Sequence, residues 1–170
     1  MMLSAPTTRS HVRMAFLLGA AMAVTVGIAL GFQHIGGYIP CKLCYEQRIP
    51  YYIGVPVMVL ALLSAWANLP GIVTRVLFLI GGALMVWGLY LGIYHSGVEW
   101  GWWPGPTDCA VAVPPPDTGG QGVLEAIDAY TPPSCDRAAL RVLGLSFAGW
   151  NVIASLVLAV AALRAAFSRG

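Results

Sequence analysis

The stretch Met14–Phe32, MAFLLGAAMAVTVGIALGF, carries no charged residue. About 20 apolar residues in a helix are enough to cross the hydrocarbon core of a bilayer. Three more apolar stretches of similar length follow at Pro50–Trp66, Val73–Tyr94 and Val142–Ala162. The sequence therefore predicts an all-α integral membrane protein, a bundle of four transmembrane helices.

The composition favours the same class. Of the 170 residues, 58% are hydrophobic and only 9% are charged, whereas soluble domains carry about 25% charged residues. The length suits a single domain spanning residues 1–170. A net charge of +2 leaves no basic surface large enough to bind nucleic acid.

The distribution of charge predicts how the chain crosses the membrane. With four crossings, both termini and the turn at Asn68–Thr74 share one side. That side holds five basic residues and no acidic one, while the other side holds four basic and seven acidic residues. Basic residues favour the cytoplasmic side. We therefore expect both termini in the cytoplasm, and the loops at residues 33–49 and 96–141 outside it, where disulfides form and persist.

The first apolar stretch is open to a second interpretation, a cleaved signal peptide, because Arg9 and Arg13 precede it. The stretch is longer than the apolar region of a signal peptide, and no convincing small-x-small cleavage site precedes Gln33. We interpret it as a retained helix. Its small residues at intervals of four, Gly19 to Gly31, predict a surface for close helix packing, and Gly88 and Gly92 form a weaker version of the same pattern.

The second outer loop is long and holds seven of the twelve prolines. A loop of this length within a compact protein is usually either functional or disordered. Within it, Val123–Tyr130 has apolar residues at helical spacing. This segment predicts a short helix, either lying on the membrane surface or packed on the bundle.

Cys41-Lys42-Leu43-Cys44 stands at the mouth of the second apolar stretch. The thiolate is the reactive form of cysteine, and its pKa falls near cations, near helix N-termini and in Cys-X-X-Cys motifs. If the helix begins near Cys44, Arg48 shares its face one turn later and is placed to stabilise a thiolate. The alternative is that Arg48 only extends to the lipid headgroups.

Two more cysteines, Cys109 and Cys135, lie in the second outer loop. A bond between them would close a large loop and contribute roughly 3–4 kcal/mol to stability, which favours a structural disulfide. Exposed disulfides, however, tend to be the ones that exchange. The proline-rich surroundings favour an exchanging pair, and both interpretations stay open.

No metal or haem site is predicted. Tetrahedral zinc sites often use two closely spaced cysteine pairs, and the second pair is widely spaced. Haem attachment needs a histidine directly after the second cysteine, where Tyr45 stands. The three histidines, His11, His34 and His95, are far apart in the sequence. A reactive cysteine pair at the membrane surface is instead well placed to pass two electrons to a lipid-soluble quinone.

The segment Cys41–Arg48, CKLCYEQR, resembles the bacterial disulfide bond formation protein B (DsbB) family when it is joined to four helices and a second cysteine pair. The stretch Leu143–Asn151, LGLSFAGWN, extends the resemblance to the last helix. It implies a protein of the bacterial inner membrane, with periplasmic cysteines, that reoxidises the periplasmic thiol oxidant DsbA and passes the electrons to ubiquinone or menaquinone.

The resemblance also implies roles for individual residues. The catalytic residues would be Cys41, Cys44, Cys109 and Cys135. Reduced DsbA would attack Cys109, with Cys135 as its loop partner, and the electrons would move to the first cysteine pair. Cys44 would contact the quinone, Arg48 would help to bind it, and His95 is a further quinone-binding candidate, or else an ordinary interfacial histidine.

Other functions are compatible with parts of this pattern. A vitamin K epoxide reductase-like protein also places Cys-X-X-Cys beside a quinone, but its motif lies at a different point in the helix order. A closer alternative, which the sequence does not exclude, is a member of the DsbB family serving a dedicated partner. In a third interpretation, a non-catalytic four-helix membrane protein uses its disulfides only for stability.

Overall fold

The fold is a bundle of long helices. The computed structural model describes residues 8–106 and 134–168 of the chain; Cys109 and the predicted helix at Val123–Tyr130 lie outside these ranges. In chain order the elements are α1 Arg9–His34, α2 Lys42–Glu46, α3 Ile49–Trp66, α4 Gly71–Glu99, β1 Arg141–Val142, β2 Leu145–Ser146 and α5 Phe147–Phe167.

Within residues 8–106 and 134–168, four spans, α1, α2–α3, α4 and α5, are long and apolar enough to cross a membrane, which confirms the predicted four-helix architecture. The first and third predicted spans are shorter than the helices observed. α1 has 26 residues and α4 has 29, more than the roughly 20 that a crossing needs. The additional turns of α4 carry His95 and Glu99 past the apolar stretch, towards the motif at Cys41.

The bundle has an apolar interior and an apolar exterior. α4 packs mainly against α3 and α5, and α1 packs mainly against α3. Met22, Met58, Phe78 and Met85 are fully buried where the helices meet. Many large apolar side chains on the outer faces of the helices are exposed, among them Phe16, Leu60, Val157 and Trp66. An exposed apolar surface of this extent is typical of contact with lipid.

The closest helix contacts involve α4 rather than the small residues of α1. A Cβ atom at Gly92 would lie 3.0 Å from Val152 of α5, and one at Gly88 would lie 3.0 Å from Ser155. A Cβ atom at Gly27, by contrast, would meet nothing within 4 Å. A Cβ atom at Gly19 would lie 3.2 Å from Met58 of α3. The packing surface expected along α1 is therefore confirmed at Gly19 but not at Gly27, and the pattern expected to be weaker makes the tighter interface.

The last helix starts later than the sequence predicted. Residues 141–146 form a two-stranded antiparallel hairpin in which Arg141 pairs with Ser146. Its turn residues, Leu143 and Gly144, both have positive φ, at 53° and 85°, as in the tight turns that suit hairpins. The Ser146 side chain then accepts a hydrogen bond from the Gly149 N–H and caps α5. The predicted start at Val142 is therefore wrong, while the fold remains mostly helical.

Candidate active site

The Cys-X-X-Cys motif is held by the short helix α2. Cys41 is its N-cap, and the Cys41 Sγ accepts a hydrogen bond from the Cys44 backbone N–H at 3.4 Å. The Cys41 thiol also donates to the Cys44 Sγ, 2.9 Å away. The sequence predicted that helix amides would face Cys44; in the structure the capped sulfur is that of Cys41. The two sulfurs are close enough to form a disulfide after a small movement.

A break separates α2 from α3, and it changes the predicted setting of Arg48. Arg48 is the N-cap of α3 and does not follow Cys44 on one continuous helix, because Gln47 ends α2. Pro50 lies in the first turn of α3, where its missing N–H costs nothing. The guanidinium turns towards α1, where it donates to the Gln33 side chain and, at 3.5 Å, to the Ala29 carbonyl.

Arg48 is held inside the protein. Its guanidinium carbon lies 5.3 Å from the centre of the Tyr45 ring, within the range of a cation–π interaction. Only 8% of the residue is exposed. These contacts favour a role at the site over simple extension to the headgroups.

Cys135 and His95 converge on Cys41. The two sulfurs of Cys41 and Cys135 and one ring nitrogen of His95 all lie within 4.8 Å of one another. All three residues are buried, with exposed fractions of 4%, 1% and 3% for Cys41, Cys135 and His95. Sequence reasoning did not predict this grouping, because these residues are remote along the chain. Because the three side chains meet in space, wide spacing along the chain no longer argues against a metal site. The same closeness is the geometry that sulfur-to-sulfur exchange needs.

Behind His95 lies a series of hydrogen-bonded polar groups, buried or half-buried, that sequence reasoning missed. The Gln47 amide contacts the His95 Nδ1 at 2.5 Å, and the Asn151 amide donates to the Gln47 Oε1 at 2.7 Å. The Tyr51 hydroxyl donates to the Asn151 Oδ1 at 2.7 Å. The sequence did contain a clue to these residues. Polar side chains are costly in membrane helices, so those that occur there are usually functional or paired with one another.

The two motif cysteines have different environments. The pKa of the Cys41 thiol is raised to about 12, chiefly because it donates its hydrogen bond to the Cys44 sulfur and also because it is buried. The hydrogen bond with His95 opposes this change. In the reduced protein Cys41 therefore holds a proton at neutral pH and presents it to Cys44.

A cavity of about 770 Å³ opens beside the motif. Cys41, Cys44, Arg48 and His95 line it together with apolar side chains such as Phe32 and Val26. Ligand pockets of this size are typically apolar with a few placed polar groups. The cavity therefore combines an apolar lining with a cationic hydrogen-bond donor, Arg48, and the sulfur of Cys44.

Comparison with known proteins identifies a matching family. The family model for the disulfide bond formation protein DsbB matches residues 11–165, nearly the whole chain. The chain is also 25% identical over 138 residues to the uncharacterized protein RP370 of Rickettsia prowazekii (strain Madrid E), covering 78% of this chain and 77% of that protein. No solved structure matches the chain. The extent of the family match shows that this protein belongs to the DsbB family of disulfide bond formation proteins.

Proposed function

We propose that the protein oxidises a periplasmic dithiol protein of the DsbA type and passes the electrons to a membrane quinone. Membership of the DsbB family implies thiol oxidoreductase activity, and the proposal adds the two substrates. The observation that carries it is the convergence of three cysteine sulfurs, from two distant parts of the chain, beside one cavity.

Electrons would enter at the second cysteine pair. A thiolate of the partner attacks Cys109, the bond from Cys109 to Cys135 breaks, and its electron pair moves to the Cys135 sulfur. The Cys135 thiolate then attacks Cys41, whose bond to Cys44 breaks, so the electron pair moves to Cys44. The second transfer is supported by the distance of at most 4.8 Å between the Cys135 and Cys41 sulfurs.

Electrons would leave at Cys44. The cycle closes when the Cys109 thiolate, freed as the oxidised partner leaves, attacks Cys135, and the released Cys41 bonds again to Cys44 as two electrons pass to the acceptor. A bound quinone supplies an acceptor for two electrons and two protons, with ubiquinone as the first choice and menaquinone as the second. Cys44 lies on the cavity wall and accepts the proton of Cys41 in a hydrogen bond. Arg48 supplies positive charge in the same cavity, which favours thiolate formation at Cys44 and offers hydrogen bonds to a quinone carbonyl.

The distribution of charge supports a bacterial inner-membrane location with cytoplasmic termini and periplasmic cysteines. The four apolar spans and the family fit a multi-pass inner-membrane protein. The predicted cytoplasmic side carries five basic and no acidic residues, in keeping with the positive-inside rule. On this topology the motif at Cys41 lies at the periplasmic end of the bundle.

Complementation tests the proposed function against a protein that uses its disulfides only for stability. The chain is expressed in bacteria that lack their own DsbB-family protein, and the redox state of DsbA is followed by thiol labelling. Wild-type protein is expected to restore oxidised DsbA, and Cys44→Ser is expected to fail while accumulating to the same level. Equal restoration by both would leave only a structural role for the motif. Failure of the wild type with DsbA, but success with a co-expressed DsbA-like protein from the same source, would indicate a dedicated partner.

A further inference from the structure

The series of polar groups behind His95 has a defined direction, which is set at its far end by a backbone carbonyl. The Asn151 side chain contacts the Gly88 carbonyl oxygen through its nitrogen, at 3.2 Å. A carbonyl oxygen only accepts hydrogen bonds, so the amide nitrogen of Asn151 must face it. The close approach of α4 and α5 at Gly88 makes this contact possible.

The orientation of Asn151 fixes that of Gln47. With its nitrogen towards Gly88, Asn151 donates its second hydrogen to the Gln47 side chain at 2.7 Å, and its oxygen accepts from the Tyr51 hydroxyl at 2.7 Å. The Gln47 oxygen must therefore face Asn151. The Gln47 nitrogen is then left to face the His95 Nδ1, which is 2.5 Å away.

The orientation of Gln47 in turn fixes the tautomer of His95. Because the Gln47 amide nitrogen donates, the His95 Nδ1 accepts and carries no proton. The neutral ring then carries its proton on Nε2. The Nε2 atom lies 3.6 Å from the Cys41 Sγ and 3.9 Å from the Glu99 Oε1. At these distances the sulfur is the acceptor within hydrogen-bond reach.

We propose that Gln47 and Asn151 are positioning residues that hold His95 as an Nε2–H donor, so that it stabilises negative charge on the Cys41 sulfur during disulfide exchange. The proposal rests on the proposed function for the step that it serves. In the step that resolves a Cys41–Cys135 disulfide, the Cys109 thiolate attacks Cys135 and a new Cys109–Cys135 bond forms. The electron pair of the broken bond then leaves on Cys41, where the His95 N–H and the Cys44 backbone N–H both point.

Several titratable groups surround Cys41 and share its electrostatics. Cys44 faces it from α2, His95 and Glu99 from α4, and Cys135 from the segment before the hairpin. Arg48 and Arg137 line the same cavity. A test of His95 must therefore hold the other cysteines and these charges constant.

The test uses the full chain in detergent with Cys41 as the sole cysteine, the others being replaced by serine. The tautomer of His95 is read by ¹⁵N NMR of labelled histidine, and ionisation of Cys41 is read from the ultraviolet absorbance of the thiolate against pH. Asn151→Asp reverses the direction of the hydrogen bonds, because its carboxylate accepts from the Gln47 nitrogen and turns the Gln47 oxygen towards His95. Gln47→Met removes the hydrogen bonds between Asn151 and His95 without adding charge. Ser155→Ala is the matched control, since it removes a hydroxyl that contacts Asn151 but leaves the direction unchanged.

We expect the proton of His95 to move from Nε2 to Nδ1 in Asn151→Asp. We also expect the thiolate fraction of Cys41 at a given pH to fall about tenfold in both Asn151→Asp and Gln47→Met, one pKa unit, and to stay unchanged in Ser155→Ala. An Nε2–H tautomer that persists in Asn151→Asp, or an unchanged Cys41 titration in Gln47→Met, would overturn the inference. Neither measurement uses quinone or partner, so the result stands apart from that of the proposed function.

Discussion

Cys135 and Cys41 lie with their sulfur atoms within 4.8 Å of each other, and both residues are buried. The contact joins the end of the second outer loop to the first residue of the Cys-X-X-Cys motif. A structural disulfide confined to the second loop would have no need of this position. The contact instead places a cysteine of one pair where it can attack the other pair.

This contact predicts a specific cross-link. In the variant Cys44→Ser with Cys109→Ser, mild oxidation should join Cys41 to Cys135 nearly completely, because no other cysteine remains and the two are already adjacent. Peptide mapping by mass spectrometry measures the bond. Oxidising the same variant after unfolding in denaturant provides the control, in which intramolecular bonding should fall sharply. A folded variant that kept both thiols reduced would show that the sulfurs do not meet.

The hydrogen bond within the motif predicts how its two thiols respond to pH. Because the raised pKa of Cys41 keeps its thiol protonated below about pH 12, brief alkylation of the reduced protein near pH 8 should modify Cys44 and spare Cys41. Loss of the acceptor in Cys44→Ala removes the main cause of the raised pKa, so Cys41 should then ionise at lower pH. Mass mapping of alkylated peptides across pH checks both expectations. Preferential alkylation of Cys41 in the wild type would show that Cys44, and not Cys41, donates the hydrogen bond between the two sulfurs.

Arg48 is expected to act on quinone binding. Arg48→Ala removes a buried guanidinium from the cavity wall, and a hydrogen bond involving a charged group is worth roughly 1.5–3 kcal/mol. We expect the quinone KM to rise, or turnover to fall, by about tenfold or more. Arg164→Ala, in the last turn of α5, removes the same charge at the opposite end of the bundle and should leave the kinetics unchanged. Wild-type kinetics in Arg48→Ala would reduce Arg48 to a structural residue.

The glycine contacts predict different tolerances of α4 and α1 to an added methyl group. Gly92→Ala brings a Cβ to about 3.0 Å from Val152, whereas Gly27→Ala meets nothing within 4 Å. Overpacking of this kind typically costs about 1–3 kcal/mol. Thermal unfolding in detergent should therefore show a lower Tm for Gly92→Ala and little change for Gly27→Ala. Equal Tm values would mean that the α4–α5 interface adapts without cost.

Local pattern was sufficient to predict some features and not others. Apolar length predicted the four spans, since it is a property of contiguous sequence. Motif spacing singled out Cys41, Cys44 and Arg48 as candidates, but it placed Arg48 on the helix face of Cys44, which the break between α2 and α3 rules out. The hairpin at residues 141–146 was missed because its apolar residues merge with those of α5. Gln47 and Asn151 were missed because their importance depends on which helices become neighbours, and the meeting of Cys135 with Cys41 depends on tertiary folding alone.

The most direct test of the central claim is turnover with purified components. Quinone reduction by reduced DsbA is followed optically for the wild type and for Cys44→Ser and Cys109→Ser, with the partner's disulfide counted in parallel. We predict one quinol formed for each partner disulfide in the wild type and none above background in either variant. Full turnover by both variants would contradict electron transfer through these cysteines.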